Sequence, residues 1–176
     1  MKPVILPYEG TLPRVAESAF VAPNTSLIGD VDVGDEASIW FGSTLRGDVM
    51  PIRIGARTSI QDNSVVHATE GVTPTLVGTD CVVGHAVVLH GCTVGNRVLI
   101  GMGTIVLDEA VIGDDCFVAA GSLVTPRTVI PPGSFALGRP AKVKRSLTEE
   151  ERASILDGAR HYVGKTRVYR TSVLGE

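Results

Sequence analysis

Residues Ile100–Thr125 read IGMGTIVLDEAVIGDDCFVAAGSLVT, and an aliphatic side chain returns every six positions, at Ile100, Val106, Ile112, Val118 and Val124. Two places before each stands a smaller residue: Val98, Thr104, Ala110, Cys116 and Ser122. In an extended chain residues two apart share a face, so each pair turns one small and one large side chain to the same side. The unit is one short strand per six residues. Gly, Asn and Asp fall between the strands, where turns need unusual dihedrals. Working outward, the pairing recurs at Ala37/Ile39, Ser43/Leu45, Thr58/Ile60, Ser64/Val66, Cys81/Val83 and Val87/Leu89. A β-sandwich also alternates, but its strands recur every ~8–12 residues with variable turns. A period of six kept this strictly predicts a β-helix.

Bulk properties agree. The chain has 176 residues, 44% of them hydrophobic and 20% charged, with 20 glycines and only 5% aromatics, a composition that suits a slim repetitive core. The length fits one domain and a tail. The repeat stops after Pro131-Pro132-Gly133 and Gly138-Arg139-Pro140, which divides the chain into a β-helix domain with its N-terminal lead-in (1–140) and a C-terminal helical tail (141–176). Thr148-Glu149-Glu150-Glu151 reads as a capping box opening a helix from about 149 to 163, with Ala153, Ile155, Leu156, Ala159, Tyr162 and Val163 as an apolar stripe that packs along the outside of a prism, its own or a neighbour's. The run Lys142 to Arg145 reads as solvated charge.

Net charge is −3, which gives no electrostatic reason to expect nucleic acid or an anionic membrane as partner. No apolar run approaches the ~18 residues of a membrane span, and MKPVILPYEG lacks the regions of a signal peptide, so a cytoplasmic address is expected. Cys81, Cys92 and Cys116 are odd in number and far apart, with no CxxC. They read as small core residues, not as a disulfide framework or a thiolate zinc site.

The pattern resembles the hexapeptide-repeat family, which implies an all-β fold: a left-handed parallel β-helix of triangular coils, three strands or about 18 residues per turn. The handedness comes from the resemblance alone. With three hexapeptides per coil, the inward aliphatics run Leu27, Val33, Ile39; Leu45, Ile54, Ile60; Val66, Val77, Val83; Leu89, Val94, Ile100; Val106, Ile112, Val118; Val124. Loops must bulge at the long steps Leu45 to Ile54 and Val66 to Val77.

Leu45, Val66 and Leu89 then share a column, and the residues after them, Arg46, His67 and His90, point outward one above another on coils ~4.8 Å apart. His85, two places after Val83, stands over Asp62, two places after Ile60. From His85 to His90 is about five extended residues, on the order of 16 Å, too far to share one metal at bond lengths of about 2 Å. One chain therefore offers two ligands and a neighbour must bring the third. A threefold rotation of parallel prisms would set His85 of one subunit against His67 and His90 of the next. Taken singly, an exposed histidine is an ordinary polar surface residue, and His161 is read so.

Arg46-Gly47-Asp48, Gln61-Asp62-Asn63-Ser64-Val65-Val66-His67 and Gly84-His85 through His90-Gly91-Cys92 together resemble the γ-class carbonic anhydrase family over roughly residues 10 to 140. The resemblance implies a homotrimer that binds Zn2+, or Fe2+ or Co2+, at subunit interfaces through His67, His85 and His90, and that hydrates CO2 reversibly to bicarbonate by metal-bound hydroxide. Neutral imidazoles suit this, because they leave the metal its charge and lower the pKa of a bound water towards ~7. Gln61 matches the glutamine that orients the hydroxide. Arg46 and Asp48 match a pair that bridges subunits, and Asp62 a partner of theirs, so these three take structural roles around the ligands. Tyr162 matches a tail tyrosine that overhangs the pocket in some members, and also reads as a packing residue.

Two departures bear on rate. The best-characterised archaeal branch has a glutamate after the RGD aspartate where this chain has Val49, and it has a long acidic loop, taken to export protons, where residues 68–74 carry one carboxylate, Glu70. Proton export must follow each turnover, so fewer carboxylates imply slower hydration. Two other readings stand beside the anhydrase: a hexapeptide-repeat acyltransferase or thioesterase with one histidine as general base, and a weakly active metal-binding trimeric scaffold.

Overall fold

Every small and large member of the repeating pairs from Ala37 to Val124 points inward, and none is more than 1% exposed. The computed structural model describes residues 2–174, and in it these pairs line the bore of a parallel β-solenoid of about seven turns, the left-handed β-helix of hexapeptide repeats. Short strands stack in register on three faces. The first face carries the column Leu27, Leu45, Val66, Leu89, Val106 and Val124. The second carries Val33, Ile54, Val77, Val94, Ile112 and Ile130. The third carries Val21, Ile39, Ile60, Val83, Ile100, Val118 and Ala136. The inward columns are those counted from the sequence. At the first long step the strand Thr44–Ile54 stays extended around a corner and absorbs the excess as a bulge, where the register slips opposite Gly29 and Val31. At the second, residues 68–74 leave the sheet as a loop.

The turns correct one expectation in part. Asp80 and Asp115 carry left-handed backbone at one corner, as the pattern predicts, but Glu36, Arg57 and Arg97 carry it at the same corner, all five with φ between 53° and 57°. The glycines just upstream have another purpose, which is close approach. A Cβ on Gly55 would lie 2.5 Å from the carbonyl carbon of Gly78 one coil up.

The corner column alternates in charge. Stacked like charges would repel at the spacing of paired strands, and here Arg57 forks onto Asp80 at 2.6 and 2.7 Å while Arg97 forks onto Asp115 at 2.6 and 2.8 Å. The hydrogen bonds from these guanidiniums hold both carboxyls below their ordinary range. A depressed folded-state pKa contributes stability that is full above the unfolded value of about 3.9 and is lost as pH falls through the folded one. The unfolding midpoint is therefore expected to drop steeply below about pH 4, and Asp115→Asn should flatten that drop in a thermal series between pH 2 and 6. An unchanged acid slope would dismiss the ladder as its source.

After Pro140 the chain first folds back as strand Ala141–Ser146, antiparallel to Ser134–Gly138. In the run read as solvated charge, Arg145 makes two 2.7 Å bonds to Glu151 and lies 4.7 Å over the Phe135 ring. The capping box is present: Thr148 accepts from the Glu151 amide and Glu151 accepts from the Thr148 amide. Helix α1 spans Glu149–Val168, longer than expected, and continues as a π-helical turn, Tyr169–Leu174. Ile155, Ala159 and Thr166 are its buried residues, whereas Ala153 faces solvent. The helix lies on its own prism, with Tyr162 and Tyr169 edge-on to Trp40, which packs against Phe20. Trp40 donates to the Ser38 and Ser59 hydroxyls from its buried indole nitrogen. Among the described residues no helix is long and apolar enough to cross a membrane.

Candidate metal centre

The strands Val65–His67 and Val88–His90 lie side by side on the first face with His67 directly paired to His90. Their inward neighbours Val66 and Leu89 are fully buried, so the alternation of the strands sends both imidazoles outward. His67 Nδ1 lies 3.3 Å from His90 Nε2. Each ring's other nitrogen meets a carboxylate: His67 Nε2 is 3.0 Å from Asp48 Oδ1, and His90 Nδ1 is 2.9 Å from Asp108 Oδ1. An ionised carboxylate only accepts, so each of those nitrogens carries the proton. In the neutral rings the two nitrogens that face each other then present lone pairs, which repel unless a proton or a metal cation sits between them. Two ligands held tetrahedrally at about 2.0–2.1 Å from one ion stand about 3.3–3.4 Å apart, the separation found here.

Burial pushes the Asp48 carboxyl up, and hydrogen bonds from Arg46 and His67 outweigh it and hold it below its ordinary value. Arg46 pairs with Asp48 within the same chain. His85 sits at the corner between the third and first faces, with Nδ1 2.8 Å from Asp62 Oδ2 and no partner for Nε2 among the described residues. Asp62 is held in turn by its main chain, whose carbonyl accepts from the Ala86 amide at 2.9 Å. All three imidazoles thus show the carboxylate-backed arrangement that fixes a metal ligand's tautomer. His85 is the most open of the three, with 47% of its side chain exposed against 17% for His67 and 28% for His90. Among the described residues of one chain no three His, Cys, Asp or Glu side chains converge to hold an ion. Cysteine offers no alternative, since burial pushes the Cys81 and Cys92 thiols up to about 12.

A family model described as bacterial transferase hexapeptide (six repeats) matches residues 91–126. A protein named carbonic anhydrase from Geobacillus kaustophilus is 47% identical over 95% of this chain and 91% of its own. The chain belongs to the γ-class carbonic anhydrase-like family. The mitochondrial gamma carbonic anhydrase 2 of Arabidopsis thaliana is 45% identical over 89% of this chain, which spans only 58% of that protein's length. A crystal structure of a hexapeptide transferase family protein from Anaplasma phagocytophilum is 44% identical, covers 94% of this chain and 98% of its own, and superposes with a TM-score of 0.91.

Of the other residues matched to this family, Gln61 and Tyr162 come together with His85. They line a cavity of about 360 Å³ whose remaining walls include Val82, Leu99, Met102 and Phe117. Gln61 is only 5% exposed, and its side-chain amide has no hydrogen-bond partner among the described residues. Burial, and then the charge of Asp62, push the Tyr162 phenol up, so it remains an O–H donor at neutral pH. Glu70 stands apart from these, exposed at the tip of the loop 68–74. Val49 lies in the bulge beside Asp48.

Sequence reasoning missed Asp108. It lies one coil beyond His90 and one position off its column, opposite Gly91, because Leu89 pairs with Val106. Comparing neighbouring columns, as well as the histidine's own, would have found it.

Proposed function

We propose that this chain is a metal-dependent enzyme of the carbonic anhydrase type, which interconverts CO2 and bicarbonate at sites shared between subunits of a homotrimer. The observation that supports it most is the facing pair of ring nitrogens, His67 Nδ1 and His90 Nε2, 3.3 Å apart on imidazoles that are each backed by a carboxylate. In this reading His67 and His90 of one chain and His85 of its neighbour hold Zn2+, Fe2+ or Co2+. When bound there, the ion supplies hydroxide near neutral pH. The unpartnered Gln61 amide offers a donor and an acceptor to orient a small polar reactant. The apolar walls Val82, Leu99, Met102 and Phe117 suit uncharged CO2 and exclude water from one side. Tyr162 closes the cavity from the helix, and Glu70, exposed on the loop, passes the proton of each turnover to solvent. Arg46, Asp48 and Asp62 hold the imidazoles and their surroundings in place.

The likeness to a hexapeptide transferase family protein sustains a second reading, in which one histidine is the general base of an acyl transfer. It leaves the other two carboxylate-backed imidazoles without a role. Metal analysis of protein prepared without oxygen separates the readings: about one divalent ion per chain is expected, three in a threefold assembly. A metal-free trimer would favour the transferase. Stopped-flow CO2 hydration by the metal-loaded protein is expected to exceed the buffer rate, and a loaded trimer no faster than buffer would leave the scaffold.

A further inference from the structure

We propose that Asp108 is the residue that positions His90, and that it is itself aimed by the loop that follows His67. The inference rests on the reading of His67 and His90 as ligands of one divalent ion, and adds to it the residue that prepares the second ligand. One carboxylate oxygen of Asp108 accepts from His90 Nδ1 at 2.9 Å, and the other accepts from the Thr69 hydroxyl at 3.0 Å. The main chain of Asp108 is pinned as well, its carbonyl accepting from the Arg127 amide at 3.0 Å. Space for the carboxylate exists only because residue 91 lacks a side chain: a Cβ on Gly91 would stand 2.1 Å from Asp108 Oδ1.

These contacts fix one tautomer. With the proton held on Nδ1 by Asp108, Nε2 keeps its lone pair directed at His67 Nδ1. Without that acceptor the neutral ring is free to place its proton on Nε2, where it would point into the ion's position and block it. Thr69 belongs to the same loop as Glu70, so the segment proposed to carry protons away also sets the orientation of a ligand.

Full-length protein labelled with 15N-histidine and freed of metal supplies a test that does not require the ion. Long-range 1H–15N spectra are expected to show His90 as the Nδ1–H tautomer in wild type, a mixture or the Nε2–H form in Asp108→Ala, and a partial shift in Thr69→Val. Zn2+ affinity, measured against a competing chelator, is expected to fall 10–100-fold in Asp108→Ala, the range for losing a ligand's outer partner, and less in Thr69→Val. An Asp108→Ala protein that keeps the Nδ1–H form, or binds Zn2+ within twofold of wild type, overturns the proposal. If that variant does not fold, Thr69→Val decides alone, and spectra and affinity identical to wild type would overturn it. Should wild type itself take up no Zn2+, the metal reading falls while the spectra still decide what Asp108 does.

Discussion

Two variants that are each inactive are expected to regain about a quarter of wild-type CO2 hydration when their chains are mixed equally and assemble together. His85→Ala removes the imidazole backed by Asp62 and leaves His67 and His90 in place. His90→Ala does the opposite, breaking the facing pair and leaving His85. Alone, each should lose more than the 10–100-fold that removal of a ligand's outer partner costs, because a ligand itself is gone. In a mixed ring, a site is whole only where a His85→Ala chain meets a His90→Ala chain in the correct order, a chance of about one in four at every contact. Metal content should return in the same proportion. Mixed trimers of verified composition that recover neither metal nor activity would sink the shared site. Any recovery excludes a mechanism confined to one chain, since neither chain carries all three imidazoles.

That experiment depends on columns, and the columns were legible because they follow from counting alone. Each small and large pair is local, and once Leu45, Val66 and Leu89 are placed above one another, Arg46, His67 and His90 follow with no further assumption. The relation of His85 to Asp62 is the same arithmetic on another face. What counting could not supply is anything displaced from its column. Asp108 is one position out of register with His90. The end of α1 was hidden for a different reason: the apolar stripe read from the sequence ends at Val163, yet the helix runs on through Gly164 to Val168. Burial of Thr166 and the packing of Tyr169 on Trp40 favour continuation, against a cost of about 1 kcal/mol for a helical glycine. The charge alternation at the corner of Glu36, Arg57, Asp80, Arg97 and Asp115 was in the sequence throughout. It has meaning only when residues about twenty apart are known to touch.

Gly78→Ala is expected to destabilise the prism strongly, although it adds only one methyl group. Gly34, Gly55, Gly78, Gly95 and Gly113 each follow an inward aliphatic of the second face, and none of them has the positive φ that would demand glycine. Their constraint is the coil above. A Cβ on Gly78 would meet the Gly95 carbonyl oxygen at 2.5 Å and its carbon at 2.7 Å, and main chain held in a ladder cannot swing aside as a flexible side chain can. The Gly78 amide donates to the Val94 carbonyl at 2.8 Å, so relief by lifting the coil also stretches a ladder bond. Overpacking of this kind costs about 1–3 kcal/mol, and the upper end applies where backbone is the obstacle. For a chain of this size that lowers the unfolding midpoint by roughly 6–12 °C. Gly71→Ala is the control, because Gly71 has φ +68° but nothing within 4 Å of its added Cβ; left-handed strain alone should cost about 1–2 kcal/mol there. A Gly78→Ala loss below about 1 kcal/mol in calorimetry would dismiss coil spacing as the source of the demand for glycine. The outcome bears on the metal centre too. The chain passes through this corner on its way from His67 to His85, and a coil forced apart at Gly78 shifts one imidazole relative to the other. In a site read across two subunits, Gly78→Ala should therefore weaken metal binding as well as stability.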